Sequence, residues 1–297
     1  MSIVIARQLS ICGLCVVLTA ACTLTPPPAT PTPTAARKDS TTPSNAAIRW
    51  KPRLSAGSWR YELLSTATVT LTGDPTASAL PVGRTTVYTV SIAPTREPVS
   101  STVPFQVVGS VDSVAVTTPG RIPTPTAGSN IRPHFRAELG SDGRVVNLTS
   151  DATTACQAAV DPLSAAALTL FVTLPPAIAA GATWKDTVST VTCRGRMAVI
   201  TTAIRQYEAI KDTVLGSRPA LLLRRTDSLD VRNRPDTTSG QMTAAGAGSA
   251  AFLLYVDPAS GMLLNATGQS HTEILVIAGN SRYPFREDAK QTIALLD

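Results

Sequence analysis

From Trp59 onward, apolar and polar side chains alternate. Trp59, Tyr61, Leu63, Ala67, Val69 and Leu71 fall in one phase, and Arg60, Glu62, Thr66, Thr68 and Thr70 in the other. A period of two held over this distance predicts a long strand with one buried face. Similar β-branched runs over 85–93, 103–117, 144–149, 187–194, 197–207, 220–231, 241–256, 262–278 and 291–296 predict that most of the chain is strand. Gly140-Ser141-Asp142-Gly143 separates Phe135–Leu139 from Arg144–Val146. Asp257-Pro258-Ala259-Ser260-Gly261 separates Leu253–Val256 from Met262–Leu264. Both linkers have hairpin chemistry, and short hairpins make the flanking strands antiparallel. Gly57-Ser58-Trp59-Arg60 and Gly181-Ala182-Thr183-Trp184-Lys185 each open a set of such runs, a faint internal repeat.

One segment breaks the two-residue period. Asp161 is a helix cap with Pro162 at the first helical position, and Leu163, Ala166, Ala167, Leu170, Phe171 and Leu174 then recur at helical spacing up to Pro175-Pro176. Leu168 and Val172 make the opposite face apolar too, as in a buried helix. The expected fold class is mainly β (α+β): a large curved antiparallel sheet or unclosed β-barrel with one buried helix near 162–174.

The first residues follow another pattern. Arg7 precedes the apolar run Leu9–Thr19, then come Ala20-Ala21 and Cys22, an order of positive charge, apolar core and small residues that marks an export signal. With a Cys directly after the small pair, this resembles a bacterial lipoprotein signal. The resemblance implies that Cys22 receives lipid and becomes the mature N-terminus, and that the protein is exported and membrane-anchored. Thr23 follows Cys22, where an Asp commonly retains lipoproteins at the inner membrane. The expected address is therefore the outer membrane, facing the periplasm. Residues 22–47 are Thr, Pro, Ala and Ser with almost nothing apolar, a composition that cannot offset its ordering entropy and suits a tether. The division is thus 1–21 signal peptide, 22–47 lipidated Cys plus tether, and 48–297 a single β-rich envelope domain.

Composition narrows the chemistry. The formal charge is +6, but the arginines are scattered and aromatic residues make up only 4%, so no basic patch interleaved with stacking rings offers a nucleic-acid surface. Cys12 and Cys15 leave with the signal and Cys22 carries the lipid, which leaves Cys156 and Cys193. An isolated pair in an oxidising envelope reads as a structural disulfide, since no CxxC spacing supports a redox or metal site. His134 and His271 are the only histidines. Ser270 and His271 are adjacent on one strand and point to opposite faces, so they cannot pair as nucleophile and base. Asp227 and Asp230, among Arg224, Arg225 and Arg232, read as a solvated charge-mixed stretch, and Asp142 and Asp257 as turn residues. Gly246 and Gly248 suggest a bulge or a sharp strand bend. No catalytic residue, metal site or cofactor is expected.

The exported chain, long first strand, Gly-Ser-Asp-Gly hairpin and apolar helix among strands together resemble the lipoprotein-carrier superfamily, which comprises the Lol-type carriers and the mycobacterial lipid-binding lipoproteins. That resemblance covers roughly Trp50 to Asp297 and implies an unclosed antiparallel barrel with helices over the opening and a cavity for acyl chains. The expected role is a non-catalytic lipoprotein that binds a hydrophobic ligand such as a lipid or acyl chain. Trp59, Trp184, Leu170, Phe171 and Leu174 are its candidate ligand contacts, and the cavity is expected between helix and sheet. The alternative is a structural or interaction lipoprotein, with a filled core, docking to another envelope component of unknown identity.

Overall fold

A computed structural model describes residues 50–72, 81–95, 103–117, 124–125, 133–151, 156, 159–194, 197–233 and 242–296. Cys22, the signal and residues 22–47 lie outside these described residues. Twelve strands form one antiparallel sheet. They are β1 (Gly57–Leu71), β2 (Val82–Pro94), β3 (Phe105–Thr117), β4 (Thr124–Pro125), β5 (His134–Leu139), β6 (Val145–Ser150), β7 (Thr183–Arg194), β8 (Met197–Leu215), β9 (Arg218–Asn233), β10 (Met242–Val256), β11 (Leu263–Ala278) and β12 (Ser281–Leu296).

The order β6-β5-β3-β2-β1-β12-β11-β10-β9-β8-β7 describes two meanders, with β4 an appendage of β3. The first begins with Trp59 on β1 and the second with Trp184 on β7. They join through the β1–β12 ladder, from Arg60↔Leu296 to Leu71↔Phe285. The sheet curls into a barrel that strand pairing leaves open at one seam, between β6 and β7. Outward rows such as Arg224, Thr226, Ser228, Asp230 and Arg232 are exposed and polar. A membrane-spanning barrel instead turns an apolar band outward.

The turns explain the alignment of the strands. Asp142 Oδ1 accepts from the Arg144 amide, and Asp257 Oδ1 accepts from the amides of Ala259 and Ser260 at 2.7 and 3.0 Å. These local bonds supply an Asp side chain where the backbone has no partner. Two further hairpins were not expected: Gly216-Ser217 joins β8 to β9, and Gly279-Asn280 joins β11 to β12. Gly216 and Gly279 have φ of 62° and 58°, the left-handed region that a two-residue hairpin loop requires and glycine adopts without penalty. As a result β8 runs to Leu215 and β12 starts at Ser281, well beyond the expected 197–207 and 291–296.

The buried helix is present but shorter than 162–174. It comprises α1 (Pro162–Ala166) and a 3-10 turn over Ala167–Leu170. Asp161 caps it as expected, accepting from Leu163 N and Ser164 N at 2.9 and 3.1 Å. At Phe171 the backbone becomes extended, because the barrel wall supplies partners that a helix would have made internally. Leu174 N donates to Asp142 O, and Trp184 Nε1 donates to Thr173 O at 2.7 Å. Leu170, Phe171, Val172 and Leu174 are all buried and plug one end of the barrel with Tyr61, Phe135, Leu139, Ile178 and Leu254. Each such Leu or Phe contributes about 1.5–3 kcal/mol through burial. Trp50 enters at this plugged end, pairing with Ile178 and donating from Nε1 to Asp212.

Among the described residues, Val160-Asp161 bridges the seam. Val160 N donates to Val191 O on β7 at 2.7 Å, while Asp161 N donates to Ser150 Oγ on β6 at 3.2 Å. Just ahead of it, Cys156 and Cys193 form the expected disulfide, with α-carbons 5.6 Å apart. Gly246 and Gly248 stay in register with Ile274 and Thr272. A β-carbon on either would lie 2.3–2.4 Å from a carbonyl oxygen of β11, so their role is close strand approach and not a bulge.

Candidate functional site

Antiparallel partners share a face, so cross-strand registers define inward rows around the barrel wall. Above the plug, the first of these rows runs Trp184–Tyr207–Arg225–Phe252–Gly268–Gln291. Its aromatic and cationic groups form a continuous stack. The Trp184 and Tyr207 rings are parallel within 6° at 5.4 Å, and the Arg225 guanidinium lies 4.2 Å from the centre of the Phe252 ring. Phe252 in turn covers Gly268, where a β-carbon would come within 2.1 Å of the ring.

The next row is Asp186–Arg205–Asp227–Ala250–Ser270–Ala289–Ala67. It is charged on β7–β9 and small on β10–β12 and β1. Asp186, Arg205, Arg225 and Asp227 are all buried. Arg225 Nε lies 3.0 Å from Asp227 Oδ1, in ionic contact but poorly aligned for a hydrogen bond. Thr173 Oγ1 donates to Asp186 Oδ2, tying the plug to this layer. Burial lowers the Arg225 pKa, with Arg205 adding repulsion, and Asp227 only partly compensates. Burial likewise raises Asp227 against the pull of Arg225 and Arg205. Arg205 Nε, Arg225 Nη1, the Tyr207 hydroxyl, Asp186 Oδ1 and Gln291 Oε1 are buried without hydrogen-bond partners. The Tyr207 hydroxyl lies beside Arg205 without being aligned to it.

About 7 Å further along the strands, the inward rows become apolar and the barrel opens. A cavity of about 360 Å³ is lined by Val69, Met197, Val199, Val231, Met242, Ala244, Ile274, Val276, Phe285 and Glu287. That is the lower end of the size range of small-molecule sites. Its rim is apolar yet wet, with Val69 50% and Met242 43% exposed. A larger trough of about 820 Å³ lies outside the wall between β1 and β9, among Thr66, Ser249, His271, Asp288 and Lys290. His271 Nδ1 there sits 2.9 Å from Asp288 Oδ1, and both are solvent-exposed. The trough is broad and open, and its His271, Arg286 and Asp288 pair with one another, so the apolar mouth cavity is the better site for an apolar ligand.

The residues expected to touch ligand sit away from the mouth cavity. Leu170, Phe171 and Leu174 fill the plug, and Trp184 is held by Tyr207 and Thr173 O. Trp59 is half-buried at the plugged end, where it lines an open, half-polar depression of about 550 Å³ with Arg60, Arg218, Met262, Leu264 and Leu295. None of the five lines the mouth cavity, and the space against the plug near Leu174 is only about 20 Å³. The mouth cavity stands at the end away from the plug and not between helix and sheet. Asp230 is solvated and paired with Arg232, as expected, but Asp227 and Arg225 are buried. The signal for that was present. Leu221, Leu223, Arg225, Asp227, Leu229 and Val231 share one phase of the two-residue period.

No family model matches the sequence, and no curated protein matches it either. Among solved structures, DynF from the dynemicin biosynthesis pathway of Micromonospora chersina is similar over 84% of this chain and 86% of its own, at 8% identity and a TM-score of 0.27. An outer membrane channel from Pseudomonas putida F1 is similar over 83% of this chain and 98% of its own, at 10% identity and a TM-score of 0.19. Both scores are too low to carry a statement about the fold or role of this chain.

Proposed function

We propose that this protein is an exported, membrane-anchored lipoprotein that holds a hydrophobic ligand, a lipid or acyl chain, in the open mouth of its barrel without catalysing a reaction. The observation that carries this reading is the apolar mouth cavity with its exposed rim, set above an end plugged by Leu170, Phe171 and Leu174. An apolar surface left open to water favours whatever apolar group can cover it. The non-catalytic part is supported by the placement of the histidines. His134 is exposed, and His271 faces outward while Ser270 belongs to an inward row. The disulfide supports an oxidising compartment, and the signal-like N-terminus ending in Cys22 supports the anchor.

Two measurements test the proposal. The purified protein should enhance the fluorescence of the neutral dye N-phenyl-1-naphthylamine. Val276→Asp, which puts a charge on the cavity wall, should weaken that binding at least tenfold. No enhancement by the wild-type protein would reject the ligand site. In cells, Cys22→Ala should move the protein from the membrane fraction to the soluble fraction, and unchanged membrane retention would reject lipidation.

A further inference from the structure

The mouth cavity does not end on an apolar floor. Its innermost lining row includes Glu287 and Val69, and the next row inward is the charged one. On β10–β12 and β1 that row offers nothing larger than Ala250, Ser270, Ala289 and Ala67. On β8 and β9 it presents Arg205 and Asp227, with Arg225 and Tyr207 directly behind. The cavity lining stops at Val69 and Glu287, one row short of these groups, so a chain end reaches them by passing the small residues of that row. Three of those groups are donors without partners: Arg225 Nη1, Arg205 Nε and the Tyr207 hydroxyl. Arg225 is 2% exposed and Tyr207 fully buried, so bulk water does not satisfy them. Against these three donors stand two acceptors in the same state, Asp186 Oδ1 and Gln291 Oε1, so the donors are in excess and one further acceptor completes the set.

The charge balance decides what kind of acceptor. Arg205 and Arg225 are matched by Asp186 and Asp227 on the same three strands, so the layer is neutral before any ligand arrives. A free carboxylate would bring an uncompensated negative charge into a buried, balanced cluster, at a high desolvation cost. A carbonyl oxygen brings acceptor capacity and no charge.

We propose that the ligand is an acyl chain ending in a neutral ester or amide, its alkyl part in the mouth cavity and its carbonyl oxygen received by Arg225, Arg205 and Tyr207. This rests on the ligand-holding role proposed above and adds the chemistry of the head group. The cavity has room for about a dozen groups of water size at ~30 Å³ each, hence one medium-length alkyl chain.

Displacement of N-phenyl-1-naphthylamine from the purified protein at neutral pH tests the assignment with two competitors of equal chain length, glycerol monolaurate and sodium laurate. The ester should compete at a concentration at least tenfold lower than the carboxylate. Tyr207→Phe removes the hydroxyl and keeps the ring that stacks on Trp184, and its melting temperature is measured alongside to separate folding from binding. It should weaken the ester about tenfold, the worth of one buried hydrogen bond. Equal or tighter binding of laurate would overturn the neutral head group. An ester affinity untouched by Tyr207→Phe would overturn the assigned donors and leave the polar layer to water. Wild-type protein that binds the dye but neither competitor would overturn the acyl ligand alone. Wild-type protein that does not bind the dye would reject the cavity, and this proposal with it.

Discussion

Asp227→Ala is expected to lower the free energy of unfolding by about 3–5 kcal/mol, the usual cost of removing one partner from a buried ion pair. The carboxylate stands 3.0 Å from Arg225 and is opposite Arg205 in the β8–β9 register, and both arginines are buried. Truncation leaves two cations facing each other inside the barrel with Asp186 alone to offset them. Urea denaturation of the wild type and variant measures the loss. The double variant Arg225→Met with Asp227→Leu should recover most of it, since an apolar pair of similar size avoids the desolvation that the ions incur. A single variant as stable as the wild type would mean that the pair is solvated.

Breaking the disulfide should have an effect of similar size. The bond closes a loop of sequence separation 37, and its removal should cost about 3–4 kcal/mol by loop entropy. Position adds to this. Cys193 lies on edge strand β7, and Cys156 precedes the dipeptide that spans the seam. The Cys156→Ala, Cys193→Ala variant should therefore unfold at lower urea, and amide exchange should quicken first at Val160 and Val191 and only later in β10 and β11. Uniform acceleration across the sheet would show that the bond stabilises the barrel without latching its seam.

Much of the fold was legible because strand phase follows directly from side-chain alternation. Tyr61, Leu63, Leu223 and Val231 point inward as their periods require. The two longer turns were legible through Asp142 and Asp257. The hairpins at Gly216 and Gly279 were missed because a single glycine followed by Ser or Asn is a weak signal next to long β-branched runs. The helix was overextended because apolar spacing cannot distinguish helical burial from burial in an extended plug. The polar layer was missed for a different reason. By residue type Arg225 and Asp227 favour solvent, while their phase places them inside. Phase is the stronger guide here because a one-residue slip would have turned Leu221, Leu223 and Val231 outward as well.

The joining of the two meanders through β1 and β12 also has a consequence for how the barrel forms. Within the second meander, most strands pair with a neighbour a short turn away, so hairpins can zip up as soon as they exist. The ladder that unites them pairs Tyr61 with Leu295, nearly the full length of the folded body apart. A chain that emerges from its N-terminus must therefore hold β1 as an unpaired edge until its last strand arrives. An unpaired edge of that length is a site for mispairing between chains. Loss of β12 alone would leave both β1 and β11 bare, and such a product is expected to aggregate.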